Sequence, residues 1–324
     1  MLNWFIALMG LLTIGTGIGQ ASVTLLLEEP FGNFGGMTPT GHASIYLSRV
    51  CAASPISLRR CQEGEQGVVI SRYHRVSGYD WIAIPVVPYL YAVDRPEEVP
   101  PSVSVADVAA LRDRYRRMNL EEVVPDADGG GTPSGDWIQL VGASYDRTIY
   151  AFGIETTEEQ DDQFIQNFNS GLNQRHFNIL FHNCADFVRQ AIDFYYPHAI
   201  HRSLIADMGI MTPKQAAECL VGYSKHHKDL QFSSFVIPQV AGTVPRSFAV
   251  RGVMESFVKT KKYAVPLVSV AVLHPYFGGS LAFAWLDGSH FNPRRIAEGA
   301  NSRSQPAAIA LELQSNGLAS DTAQ

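Results

Sequence analysis

Gly41-His42-Ala43-Ser44-Ile45-Tyr46-Leu47 and Phe181-His182-Asn183-Cys184-Ala185-Asp186-Phe187 are the two stretches on which the reading of this chain turns. In the first, a histidine behind a glycine opens a strand-like run. In the second, a cysteine stands where the apolar run Phe177 to Phe181, read as a strand, gives way to an amphipathic helix. Asn183 is a favourable N-cap, and Phe187, Val188, Ala191, Ile192 and Phe194 share one side of a helix from Cys184 to Tyr195, which Pro197 stops. A cysteine in the first turn meets unpaired amides and the positive end of the helix dipole, so its thiolate is expected to be favoured. A lowered thiol pKa beside a base is what nucleophilic catalysis needs. The competing reading of Cys184 is a structural residue of the core.

Working outward, Ser22 to Leu27, Gly67 to His74 and Asp80 to Val87 read as strands, and Trp137 to Ala143 with Arg147 to Glu155 as a hairpin turned at Tyr145-Asp146. Ser104 caps a helix to about Met118 with Asp107 completing the capping logic, and Thr156 or Thr157 starts another that ends near Asn169-Ser170-Gly171. A further helix runs from Thr212-Pro213 to about Tyr223, with Cys219 as a buried small hydrophobe. Arg112, Arg114, Arg116 and Arg117 form either a solvated helix face or a surface for anionic lipid or cell-wall polymer. Trp81 and Tyr89-Leu90-Tyr91 are either core packing or an apolar substrate wall.

The chain of 324 residues, 46% hydrophobic and 17% charged, is long enough to bury a full core as one large domain with appendages. A net charge of -6 shows no basic excess, which argues against nucleic acid as a partner. Residues 1–21 read as a secretory signal ending at Gly19-Gln20-Ala21, or as a retained anchor, so the protein is expected to be exported or membrane-associated. Of the four cysteines, Cys51 and Cys61 flank a short polar loop that an oxidising compartment would close with a disulfide. No Cys-x-x-Cys or His-x-x-x-His pattern supports a metal.

The pattern Asn183-Cys184-x-x-Phe187, preceded in the chain by Gly41-His42 and a strand, resembles the circularly permuted NlpC/P60 superfamily of papain-like thiol enzymes, and among them the lecithin-retinol-acyltransferase-like members. The resemblance covers roughly residues 22 to 200. It implies an α+β fold in which a permuted papain-like antiparallel sheet packs against helices, expected over 22–235 with an insertion at about 95–135. It also implies Cys184 as nucleophile, His42 as general base, and a third polar residue, often a second histidine on the following strand. His74 is the candidate there, with Ser71 and Tyr73 as alternatives. Asn183, His182 and Trp81 are candidates for the substrate or oxyanion side, together with the Cys184 amide. The implied chemistry is acyl transfer through a thioester, with no metal or organic cofactor. The substrate is a cell-wall peptide amide or a lipid ester, which makes a phospholipase or acyltransferase the alternative enzyme. A catalytically silent envelope binding or scaffold domain is the alternative outside enzymes.

The C-terminal extension, 236–298, contains Tyr263 to Leu286, a run of 24 residues without a formal charge behind Lys259, Lys261 and Lys262. That length suits a bilayer span, while Pro266, Pro275, Gly278 and Gly279 favour a peripheral segment or a packed hairpin. The tail, 299–324, reads as disordered.

Overall fold

The computed structural model describes residues 22–32, 40–74, 76, 78–174, 177–259, 264–266, 269–270 and 273–299. The expected signal at 1–21 and nearly all of the C-terminal tail lie outside them. Among the described residues the strands are β1 (Ser22–Glu28), β2 (His42–Leu47), β3 (Val50–Ser54), β4 (Ser57–Arg60), β5 (Val68–Ser71), β6 (Ile82–Pro85), β7 (Ser102–Val103), β8 (Ile149–Glu155), β9 (Ser233–Ile237) and β10 (Ala241–Gly242). The helices are α1 (Val86–Tyr91), α2 (Val105–Asn119), α3 (Ala143–Asp146), α4 (Glu158–Ser170), α5 (Cys184–Tyr195), α6 (Pro213–His226), α7 (Val253–Lys259), α8 (Pro275–Ser289) and α9 (Pro293–Gly299).

The protein is an α+β fold built on a six-stranded antiparallel sheet in the order β6-β5-β2-β1-β8-β9. β1 lies between β2 and β8, and its Val-Thr-Leu-Leu-Leu run is buried on both faces, as an inner strand requires. One face, carrying Leu25, Leu27, Ala43, Ile45 and Ile70, packs against Phe164 of α4, Phe187, Val188 and Ile192 of α5, and Leu220 of α6. The other, carrying Leu26, Val69, Ile82 and Ile84, packs against Tyr89 and Leu90 of α1, Val108 and Tyr115 of α2, and Tyr145 of α3. Burying each large apolar side chain stabilises the fold by roughly 1.5–3 kcal/mol. The two-faced core is therefore the main source of stability.

Both capping expectations hold: Ser104 with Asp107 and Thr157 with Gln160 form reciprocal boxes at the starts of α2 and α4. The expected disulfide joins Cys51 to Cys61 beside the β3-β4 hairpin. With both sulfurs in that bond, their proximity to Glu65 does not make a metal site.

Three readings need correction. Trp137 to Ala143 is not a strand. Asp136–Gln139 forms a 3-10 turn, and Gly142 takes φ +73°, while the Arg112 guanidinium binds the Val141 and Gly142 carbonyls that a ladder would have used. β8 pairs instead with β1 and β9. Phe177 to Phe181 is a turn, because the Asn178 side chain accepts from the amides of Leu180 and Phe181 while Asn178 and His182 bridge across it. The arginines of α2 do not form one solvated face: Arg112 and Arg116 are buried and bind Asp146 and the pair Asp113 and Asp126. In the extension, no helix among the described residues is long and apolar enough to cross a membrane. The described part of Tyr263 to Leu286 includes most of α8, where Tyr276, Phe283 and Leu286 are exposed.

Candidate functional site

His42 is held at the entrance of β2 by backbone geometry. Gly41 has φ +73°, and a Cβ there would lie 2.2 Å from the Glu28 carbonyl oxygen, so only glycine lets β2 start beside the end of β1. In that register His42 stands opposite Glu28. Its ring stacks on Tyr73 with centroids 5.0 Å apart. Its Nε2 lies 2.8 Å from Ser71 Oγ, which itself donates to the Ala43 carbonyl at 2.8 Å. A hydroxyl has one proton, and the carbonyl can only accept it. His42 Nε2–H therefore donates to Ser71, and Nδ1 is left bare as the basic nitrogen.

Cys184 is placed by the other stretch. Asn183 caps α5 by accepting from the Asp186 amide, and Asp186 returns a bond to the Asn183 amide, a reciprocal box that fixes the first turn. Arg72, almost fully buried, secures this corner: it forks onto Asp80 at 2.7 and 2.9 Å and donates to the Asn183 carbonyl at 3.2 Å, with its guanidinium 5.4 Å from the Phe187 ring centre. α5 packs on one face of the sheet, whereas His42 shares the opposite face with Glu28, Ser44 and Ser71. The two meet at the sheet's end, where the Ala43 amide, next along the chain from His42, reaches the Cys184 sulfur, as does the Ala185 amide. Among the described residues no hydrogen bond joins the sulfur to His42; the histidine's bond is to Ser71.

The electrostatics differ from the thiolate expected at a helix start. Burial pushes the Cys184 thiol up to about 11, aided by the Glu28 charge and opposed by the Ala43 and Ala185 amides and by Arg72. The residue retains partial solvent access, so desolvation here reflects the walls around the sulfur rather than complete enclosure. Burial also lowers His42 to about 4, with Glu28 working against it and Arg147 with it. At neutral pH the resting pair is a neutral thiol and a neutral imidazole.

Glu28 organises a second layer. Its buried carboxylate accepts from Ser44 Oγ at 3.0 Å and from the Tyr89 hydroxyl, and pairs with Arg147 Nη1 at 3.1 Å. Arg147 lies over the Phe31 ring at 4.3 Å. Ser71, Arg72, Glu28 and Arg147 are the supporting residues that sequence reading missed or left among alternatives. Their signal was weak: polar residues inside apolar strand runs, visible only once partners are known.

The remaining candidates fall elsewhere. His74 is exposed, 3.2 Å from Asp136 and edge-on to Phe177, away from His42. Ser71, one of the alternatives, is the residue beside His42, because residue parity on β5 sends Ser71 toward the His42 face while His74 lies past the strand's end. His182 binds Asp80 through Nε2 at 3.0 Å. Asn183 spends its amide on the Ile179 and Met211 carbonyls at 3.0 Å each, so its side chain is a structural clamp rather than a free oxyanion donor. Trp81 is buried against Phe168 and belongs to the core.

An exposed apolar cluster lies on the two segments that Arg202 ties to the first turn of α5. Ile179, Leu180 and Phe181 on the turn before α5, and Leu204, Ile205 and Met208 on the loop before α6, are all exposed. Arg202 ties the two segments by donating to the Leu180 and Gly209 carbonyls, pairing with Asp186 and lying 5.6 Å from the Phe181 ring centre. Comparison with family models, curated proteins and solved structures finds no match to this chain.

Proposed function

We propose that the protein is a cysteine-dependent acyl-transfer enzyme of permuted papain-like type, with Cys184 as nucleophile and His42 as general base. The observation that supports this reading is a partly accessible cysteine in a capped first turn, its sulfur reached by the amide of Ala43, the residue next to a histidine of fixed tautomer. Because both groups rest neutral, the proton moves during attack rather than before it. The sulfur adds to a carbonyl carbon, Nδ1 of His42 takes the thiol proton, and the proton passes to the leaving alkoxide or amine as its bond to carbon breaks. Water or another acceptor then releases the acyl group from the thioester. The Cys184 amide, in the first turn and without a helical acceptor, is the candidate donor to the oxyanion.

The exposed apolar cluster favours a substrate with an apolar acyl chain over a cell-wall peptide, which makes lipid-ester hydrolysis or transfer the preferred chemistry. A second reading, a catalytically silent binding domain, is favoured by the missing Cys184–His42 hydrogen bond. One experiment separates them. The protein is incubated with p-nitrophenyl octanoate and p-nitrophenyl acetate, and intact mass is followed with time. The enzyme reading expects an octanoyl adduct on Cys184, formed faster than the acetyl adduct and lost in Cys184→Ala and His42→Ala. No adduct, or equal labelling of both variants, supports the silent domain.

A further inference from the structure

A second site lies at the other end of α5. A cavity of about 600 Å³ opens between the loop after α5, α6 and the segment leading into α9. Its volume falls within the roughly 300–1,000 Å³ usual for small-molecule sites. With its twelve residues at about 1.5 Å each, α5 puts this cavity roughly 17 Å from Cys184. It is not part of the site already described.

Its lining is sorted by depth. Ala199, Val221 and Phe291 are buried and give an apolar floor, joined there by the thiol of Cys219 and the amide of Gln215. The rim is cationic: Lys225 and Arg295 line it with His198, His201 and His226. The one lining carboxylate, Glu218, is held at 2.7 Å by His290 Nε2, and no ion pair among the described residues engages Lys225 or Arg295. His198 takes φ +66°, a left-handed backbone that costs about 1 kcal/mol or more in a residue other than glycine. Two fixed positive charges without partners at the mouth of a pocket with an apolar floor complement one kind of ligand.

We propose that this cavity binds a small amphiphilic anion, a phosphate or carboxylate on a short apolar body, with the headgroup between Lys225 and Arg295 and the body on Val221 and Phe291. Cys219 takes no covalent part. Its sulfur is 3.7 Å from Nδ1 and 3.9 Å from Nε2 of His201, nearly equidistant from two nitrogens whose lone pairs diverge, so neither is aimed at it. The thiol instead donates to the His201 carbonyl at 3.4 Å.

Calorimetric titration of the full chain with hexyl phosphate, hexanoate and inorganic phosphate tests the proposal. At least one hexyl ligand is expected to bind, and more tightly than inorganic phosphate; the tighter of the two identifies the headgroup. A Lys225→Ala/Arg295→Ala variant is expected to bind about tenfold more weakly per lost cation. Both side chains are exposed, so its melting temperature is expected to match that of the wild type. Cys184→Ala is expected to bind as the wild type does, which separates this site from the proposed enzymatic one. Absence of binding by either hexyl ligand, inorganic phosphate binding as tightly, or undiminished affinity in the folded double variant would each overturn the proposal.

Discussion

Cys184 and Cys219 are both free cysteines on helices with a histidine nearby, and burial raises both thiols, yet their surroundings differ. Cys184 opens its helix, and two backbone amides point at its sulfur. Cys219 sits mid-helix, where its thiol donates to a carbonyl and Gln215 Nε2 approaches the sulfur at 3.1 Å. The histidine beside the first site is buried and anchored by Ser71, whereas His201 is exposed and does not aim a nitrogen at its cysteine. Amide donors stabilise the charge that develops on sulfur during attack; a carbonyl acceptor stabilises the proton that must leave. Proximity of cysteine to histidine is therefore a poor guide; place on the helix and the acceptor that holds the thiol proton are better ones.

The contrast is broken most directly by exchanging which cysteine is removed. Cys184→Ala is expected to lower acyl transfer on the order of 10⁴-fold or more, as losing a nucleophile does, and Cys219→Ala to change it less than about twofold. Initial rates on p-nitrophenyl octanoate at matched protein concentration decide it; comparable losses in both would end the distinction.

Support beneath the two cysteines differs as well. Arg72 is buried and is bound to Asp80 and the Asn183 carbonyl, so Arg72→Ala leaves Asp80 without its main counter-charge and the α5 corner without its tie. A loss of about 3–5 kcal/mol in urea unfolding is expected. Lys225→Ala, at the rim of the Cys219 cavity, is expected to stay within about 0.5 kcal/mol of wild type.

How far the sequence foretold this contrast depends on the range of the interactions involved. The Asn183 cap, the capping boxes and the strand after His42 were legible because each is decided within a few residues. Phe177 to Phe181 misled because apolarity was read as a strand, while the Asn178 side chain closes a turn and leaves Ile179 and Phe181 at the surface. The resemblance points to His74, with Ser71 among the alternatives, but the register of β5 on β2 selects the residue that faces His42. Arg72 and Glu28 gave little warning, since no local pattern marks Asp80 and Arg147 as the partners that make their buried charges tolerable. The cationic cavity draws on three separated segments and leaves no local pattern at all.

The buried histidine also sets a pH dependence. Its folded pKa of about 4 lies below the ordinary imidazole value of 6.5. As pH falls below 6.5, the unfolded chain takes up a proton that the folded chain refuses, so His42 lowers stability progressively until about pH 4 and no further below it. The full effect is about 3 kcal/mol, and it is absent above pH 6.5. Urea unfolding at pH 7 and pH 4 is expected to show a smaller drop for His42→Gln than for the wild type by about that amount. Equal drops would mean that His42 is not held neutral by burial.

The smallest effect tests the tautomer on which the Cys184 side of the contrast rests. In Ser71→Ala the His42 Nε2–H loses its acceptor in a buried setting, which costs about 1–2 kcal/mol of stability. The imidazole is then free to move its proton to Nδ1, where it no longer serves as base. A fall of about tenfold in kcat with little change in KM is expected, because Ser71 acts on His42 and not on the substrate. Ser71→Thr keeps the hydroxyl and is expected to recover most of the rate. If Ser71→Ala retained full kcat while losing the same stability, the serine would be a packing residue. His42 would then be no better anchored than His201, and the difference between the two cysteines would reduce to the two amides at the sulfur of Cys184.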